Sequence, residues 1–181
     1  MKKLIAIICL GLFLFGCSFS DIDNTPTKQV ETYLNNYQTL DSDVLGKLDS
    51  IVNQDTSFTE EQKKTYTDIL NKHHQDLVYK IKEETINGDR ATVEVEIEVS
   101  DYTKALKEAN DYRNLNESEF MDSLGAFDEV KFNDYKLKLL KDNKEKVKYT
   151  IYFSLRKQDN NWILDDLTQT EQEKILGIYE Y

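Results

Sequence analysis

Cysteine, glycine, proline and histidine are all scarce in this chain of 181 residues, and their scarcity excludes several kinds of chemistry. Cys9 and Cys17, its two cysteines, lie within or directly after an apolar N-terminal run, so no disulfide can form in the rest of the chain. Small secreted proteins are commonly stapled by disulfides. This chain must instead be held together by packing. Its six glycines are scattered and form no phosphate-binding loop.

Basic residues are outnumbered, because 23 lysines and arginines face 34 aspartates and glutamates, and the formal net charge is −11. Binding to nucleic acid requires a basic stripe that displaces counterions from phosphates. The composition therefore predicts no nucleic-acid partner.

The two histidines, His73 and His74, are adjacent in a helical pattern. Adjacent helix positions point about 100° apart, so these two cannot chelate one metal as an i, i+4 pair can. We expect His73 to be buried with a hydrogen-bond partner and His74 to face solvent. No metal or other cofactor is predicted.

Catalytic motifs are missing as well. There is no Gly-x-Ser-x-Gly elbow and no cysteine nucleophile, and 34 carboxylates guarantee neighbours by chance. The run that starts at Asp41 resembles a calcium loop but has Leu45 at position five and Val52 at position twelve, where ligands are needed. The sequence thus predicts a protein that is not an enzyme.

The N-terminus, by contrast, carries a clear signal. Lys2 and Lys3 precede the apolar run Leu4 to Phe15, which ends in Leu-Phe-Gly-Cys at Cys17. This run is shorter than the roughly twenty residues that a transmembrane helix needs. It is typical of a secretory leader.

The ending at Cys17 resembles the lipobox of bacterial lipoproteins. The resemblance implies that residues 1–16 are removed and that a diacylglycerol is joined to the thiol of Cys17. Two acyl chains anchor a protein stably to a bilayer, so we expect the protein on the extracytoplasmic face of the cell membrane. Residues 17–24 would form a lipidated N-terminus and a short tether, in which Ser18 to Asn24 span at most about 25 Å.

Three amphipathic helices are predicted before any strand. Thr25 and Pro26 form the start of the first, a cap near Asp41 starts the second, and Thr59 with Gln62 makes a capping box for the third. A further helical segment is predicted between Tyr102 and Asn143, and it includes Leu124 and Phe127.

From Leu77 the apolar period changes from 3.6 to 2, which predicts a β-hairpin. A two-residue turn at Asn87-Gly88 would mix charged and apolar groups on both faces, whereas a three-residue loop that includes Asp89 separates them. The expected cross-strand pairs are Tyr79–Ile97, Lys80–Glu96, Ile81–Val95 and Lys82–Glu94.

A second hairpin is predicted around an even-numbered turn at Asp159-Asn160, with Trp162 on the returning strand. Thr170 and Glu173 then suggest a capping box for a terminal helix that ends at Gly177.

These elements predict one α+β domain over residues 25–181, in which N-terminal helices pack on one face of a curved antiparallel sheet and a helical insertion separates two hairpins. The element order and the closing strand Asn161 to Asp165 resemble small lipoproteins with a cystatin-like or NTF2-like domain. In such domains helices fill the concave side of the sheet.

Aromatic side chains supply the candidate site. Tyr149, Phe153 and Trp162 share the apolar sheet face with His73 nearby, so they form either core or, if a helix stands off the sheet, a ligand pocket. We expect a non-catalytic module that binds an envelope protein or a small molecule. The alternative is a small-substrate isomerase or hydrolase, which would need a deep cavity that contains His73 and a carboxylate.

Overall fold

A computed structural model describes residues 24–180, so the leader, Cys17 and most of the tether lie outside the described residues. Residues 24–180 form six α-helices and four strands. Their order is α1 Pro26–Thr39, α2 Ser42–Gln54, α3 Glu60–Gln75, β1 Val78–Asn87, β2 Arg90–Ser100, α4 Tyr102–Leu115, α5 Glu129–Asp142, β3 Lys146–Gln158, β4 Asn161–Leu164 and α6 Gln169–Leu176. A short 3₁₀ helix, Glu117–Phe120, follows α4. The predicted α+β class is confirmed.

The four strands form one antiparallel sheet in the order β1-β2-β3-β4. Alternate residues of β2 and β3 are buried against α1, where Val30 and Leu34 have no exposed surface. The other face of β2 carries Glu94, Glu96 and Glu98, which are partly exposed. Helices therefore cover one face of the sheet, as the strand periodicity predicted.

The first hairpin has the predicted pairs Tyr79–Ile97, Lys80–Glu96 and Ile81–Val95, but the three-residue loop is wrong. A β-bulge at Lys82 shifts the register, and a two-residue turn then joins Asn87 to Arg90. The bulge lets the chain keep both its apolar pairing and a tight turn. The pair Lys82–Glu94 is consequently replaced by Glu83–Glu94, and Lys82 Nζ lies 3.4 Å from Glu96 Oε2 instead.

The second hairpin has the predicted two-residue turn, since Gln158 pairs with Asn161 and both turn residues have positive φ. The predicted capping box of the last helix is wrong by two residues. Thr168 is the N-cap, because its Oγ1 accepts from Glu171 N at 3.3 Å while Glu171 Oε2 accepts from Thr168 N at 2.7 Å. Gly177 ends α6 with φ 69°, and a Cβ there would collide with the carbonyl oxygen of Ser100.

The predicted helical insertion forms α4 and α5 but is interrupted. Residues 121–128 are a loop, because Asp122 Oδ1 accepts hydrogen bonds from the backbone N of Leu124 and of Ala126 and so stabilises a turn. Leu124 and Phe127, expected in a helix, are exposed in this loop. A second apolar cluster of Ile69, Tyr102, Ala105, Leu137 and Leu140 joins the two helices to α3.

Candidate functional site

The predicted pocket residues of the sheet lie in the core. Tyr149, Phe153 and Trp162 are all less than one-tenth exposed. The Tyr149 hydroxyl donates to the carbonyl oxygen of Tyr179 at 3.1 Å, and the Phe153 ring packs against Tyr33 with centroids 6.0 Å apart. These three rings fill the space between the helices and the sheet and do not line either of the two clefts described below.

Both histidines are buried, each with 1% of its surface exposed, so the expectation that His74 faces solvent is wrong. The ring of Tyr37 from α1 lies over His74 at 4.9 Å, and the ring of Tyr102 from α4 lies over His73 at 4.7 Å. Helix α3 is therefore covered on both of the sides to which the adjacent histidines point.

Burial lowers the pKa of His73 to about 4 and that of His74 to about 3, because a charged imidazolium would be desolvated there. His73 Nε2 lies 2.8 Å from the carbonyl oxygen of Ile175 and so carries the proton that it donates, whereas the buried Nδ1 atoms of both rings have no partner. At neutral pH these rings are uncharged, and the bonded nitrogen of His73 is not free to accept a proton.

Five rings form a continuous row across the helices. The order is Tyr33, Tyr37, His74, His73 and Tyr102, with successive centroids between 4.7 and 5.4 Å apart. Each end of the row lines a different cleft. Tyr33 and Tyr37 were not predicted as site residues, although hydroxyls at positions i and i+4 on the apolar stripe of α1 are a sequence signal that could have marked them.

The first cleft, called the α2 cleft here, has a volume of about 520 Å³ and lies between α1, α2, α6 and the segment that follows β4. Its apolar wall consists of Val44, Leu48, Ile51, Leu164, Leu167, Ile175 and Leu176. The hydroxyls of Tyr33 and Tyr37 lie 2.9 Å apart on one side, and burial raises the pKa of Tyr33, so that hydroxyl stays neutral.

Charged groups at the α2 cleft are few. Asp165 is held by Arg90 and Arg156, so its charge is neutralised. Asp166 and Lys47 are exposed at the same cleft and make no ion pair among residues 24–180. The α2 cleft thus combines an apolar wall with a few polar groups, which is the usual composition of a small-molecule site.

The second cleft, called the lysine cleft here, has a volume of about 490 Å³ and lies at the C-terminal ends of α3 and α5. Ile69, Tyr102 and Leu140 form its apolar part, and its charged lining residues are Lys72, Lys141, Lys144, Lys146, Asp68 and Asp76. His73 also lines this cleft, so the structure does bring His73 and carboxylates together, though with its Nε2 bonded and its Nδ1 buried.

Within residues 24–180 no three histidine, cysteine or acidic side chains cluster in a way that could hold a metal ion. None of the helices in this described part is long and apolar enough to cross a bilayer. Cys17, the predicted lipidation site, lies outside these residues.

No family model and no curated protein matches the sequence. Comparison of structures found a crystal structure of a candidate lipoprotein, ycdA, from Bacillus subtilis subsp. subtilis strain 168, with a TM-score of 0.43 and 17% sequence identity. The match covers 93% of this chain and 52% of the other, so this chain spans about half the length of that protein.

Proposed function

We propose that this protein is a lipid-anchored, non-catalytic binding module on the extracytoplasmic face of a bacterial membrane. Its ligand is a small molecule with an apolar body and a hydrogen-bonding end, which occupies the α2 cleft. A domain of the NTF2-like or cystatin-like kind, with helices over one sheet face, would present such a cleft to solvent.

The observation that carries the proposal is the composition of the α2 cleft. Its apolar wall can desolvate a ligand of a few rings or a short chain, and each Å² of apolar surface removed from water contributes roughly 25 cal/mol. The paired hydroxyls of Tyr33 and Tyr37, together with Gln172 and Asp166, offer hydrogen bonds that would orient the ligand.

The state of the histidines supports binding over catalysis. A general base works best when its pKa lies near the ambient pH and its nitrogen can reach the substrate. His73 and His74 have pKa values of about 4 and about 3, and His73 Nε2 is bonded to Ile175. An isomerase or hydrolase would need a different base.

The α2 cleft can be tested by filling it. Ser50 lines the cleft and is exposed, so Ser50→Trp should block it without disturbing the core. Indole, which has an apolar ring and one N–H donor, serves as the probe in calorimetric titrations. We expect saturable one-to-one binding to the parent chain and none to Ser50→Trp.

Ser123→Trp is the matched control, because Ser123 is exposed in the loop between α4 and α5 and lines neither cleft. It should bind indole as the parent does. Equal binding by both tryptophan variants, or no saturable binding by the parent, would contradict the assignment of the α2 cleft.

The anchor is tested separately. Cys17→Ser removes the thiol to which the lipid would be joined, and no helix within residues 24–180 could hold the protein in a bilayer. We expect the variant either to keep its leader or to leave the membrane fraction after cell fractionation, and mass spectrometry should find no acyl mass. Tight membrane association of a processed Cys17→Ser protein would refute the anchor.

A further inference from the structure

We propose that the lysine cleft is a second binding site and that it takes a phosphoryl group. This site lies apart from the α2 cleft and its assignment does not rest on the function proposed there. Ile69, Tyr102 and Leu140 would accommodate a short apolar or polyol part of the same ligand.

The charge of the lysine cleft is opposite to that of the protein. Four lysines and two aspartates line it, in a chain whose acidic residues exceed its basic ones by eleven. Lys72 and Asp76 form an ion pair at 2.8 Å and so offset each other. Among the remaining charged residues of the cleft, Asp68 is then the one carboxylate, and there are three lysines.

Those three lysines have no carboxylate partner within residues 24–180. Lys141 and Lys144 make no ion pair, and Lys146 Nζ only donates to the hydroxyl of Ser100 at 3.3 Å. Other unpaired lysines, such as Lys64 and Lys80, stand on separate elements. Lys141, Lys144 and Lys146, in contrast, line one concave surface, where unpaired cations repel one another and a bound anion would relieve that repulsion.

Helix dipoles account for only part of this arrangement. Lys72 and Lys141 lie in the last turns of α3 and α5, where a cation interacts favourably with the helix C-terminus. Lys144 lies after α5 ends, and Lys146 is the first residue of β3. These two lysines have no such role, so their position at the cleft needs another explanation.

The side-chain types favour a phosphoryl group. No arginine lines the cleft, so the planar fork that matches a carboxylate is missing, whereas lysine ammonium groups bind phosphate as point charges. A phosphomonoester carries about −1.5 to −2 charge at pH 7 and three acceptor oxygens, which suits three unpaired lysines. His73 is neutral and adds no competing charge.

Two sources could supply the phosphoryl group, a soluble phosphomonoester or the phosphodiester headgroup of a membrane lipid. The chain enters the domain at Asn24, whose Oδ1 accepts from Trp162 N at the end of the sheet where the hairpin turns lie. Ser100 and Lys146 are at the opposite end, and the eleven residues of β2 separate the two ends by roughly 33 Å. This placement favours a soluble ligand over headgroups of the membrane that holds the anchor.

In the experiment, the full lipidated chain in nonionic detergent is titrated with glycerol phosphate at constant ionic strength. Binding is measured by calorimetry. The triple variant Lys141→Gln, Lys144→Gln and Lys146→Gln should lose affinity about tenfold, which corresponds to about 1.4 kcal/mol. Its melting temperature should not fall below that of the parent, because the three side chains are exposed and their charges repel one another.

The control is Lys64→Gln, Lys80→Gln and Lys107→Gln, which removes the same charge from three exposed, unpaired lysines outside the cleft. This variant should bind glycerol phosphate within about twofold of the parent, since distant exposed charges are screened by salt. An equal loss of affinity in both triple variants would overturn the site and assign the effect to net charge.

A second titration distinguishes the sources. Glycerophosphoglycerol is the water-soluble headgroup of phosphatidylglycerol and contains a phosphodiester with a single charge. Tighter binding of glycerol phosphate assigns a soluble phosphomonoester, and tighter binding of glycerophosphoglycerol assigns a lipid headgroup. The absence of saturable binding for both compounds up to about 10 millimolar would overturn the proposal.

Discussion

Two interfaces of this molecule differ in the chemistry of their buried side chains. Where α1 meets the sheet, Val30 and Leu34 lie on Val93 and Val95, and all four side chains are hydrocarbon with no exposed surface. Where α3 meets α5, the buried groups include amides. Gln62 Nε2 donates to the carbonyl oxygen of Val130 at 2.9 Å and to a carboxylate oxygen of α5 at 2.7 Å.

The difference shows that burial imposes two kinds of demand. An apolar contact needs only volume and shape, so neighbouring side chains can compensate for small shifts. A buried amide or imidazole needs a partner at a fixed distance, and its loss leaves a desolvated polar atom. The buried Oδ1 of Asn133 on α5 already lacks a partner, so the polar interface starts from a less favourable position.

The largest expected effect is at the apolar interface. Ile97 is fully buried on the inner face of β2, so Ile97→Ala should lower the free energy of unfolding by about 2–4 kcal/mol through lost burial and a cavity. Urea denaturation measures this change. A loss below about 1 kcal/mol would show that the apolar interface can collapse around the cavity, which would weaken the comparison.

Acid should destabilise the folded protein through its two buried histidines, His73 and His74. Their pKa is about 6.5 in the unfolded chain and lower in the folded protein, so the unfolded state binds protons first as the pH falls. Stability is therefore complete above pH 6.5 and decreases from there towards pH 4. Between pH 7 and pH 5 each of the two groups should cost about 2 kcal/mol of unfolding free energy.

His74→Phe separates this effect from the titration of carboxylates, since phenylalanine fits beside Tyr37 and cannot be protonated. The variant should lose about half of the pH dependence in this range when denaturation is repeated at several pH values. An unchanged slope would mean that groups other than the buried histidine control acid unfolding.

Gln62→Ala tests the polar interface between α3 and α5. It removes the side-chain acceptor of Thr59 N in the capping box of α3 and the amide donor that joins α3 to Val130 O and Asp134 Oδ1, so we expect a loss of about 2 kcal/mol in unfolding free energy. Gln75→Ala at the exposed end of α3 is the control and should have a negligible effect. Equal effects of the two substitutions would show that the Gln62 amide does not stabilise the contact between α3 and α5.

The smallest effect is expected on the outer sheet face. Glu96 is bridged by Lys82 and Lys148 at 3.4 and 3.5 Å, and these neighbours lower the pKa of its carboxyl. All three side chains are exposed enough for water and salt to screen them. Glu96→Ala should leave the denaturation midpoint nearly unchanged, and a loss comparable with that of Ile97→Ala would show that this face is covered by a ligand or partner.

Apolar periodicity was enough to predict one interface but not the other. The pair Tyr79–Ile97 follows from alternation together with the approximate position of the turn, because a register shifted by one residue would expose the inner face. The bulge at Lys82 was missed because alternation fixes the pairing at one end of the hairpin, whereas the residues of the turn fix the pairing at the other end. One extra residue in β1 lets both pairings occur in the same hairpin.

The burial of His74 and the lysine cleft have a common reason for being missed. Tyr37 covers His74 from another helix. Lys72 lines the same cleft as Lys144 and Lys146, which lie about seventy residues later in the sequence. Contacts of this kind depend on how the elements pack and leave no period in the sequence. The candidate pocket at Tyr149, Phe153 and Trp162 was proposed from the one pattern that was visible, and that pattern describes a core.

The bulge at Lys82 also bears on how copies of this protein behave when crowded on a surface. An anchored protein diffuses in two dimensions, where its edge strands would meet often and flat edges could join into extended sheets. Strand β1 is bent by the bulge and carries charge at Lys80 and Glu83, while β4 at the other edge is only four residues long. Both edges are thus poor templates for strand addition, which would disfavour polymerisation of copies held close together by the proposed anchor.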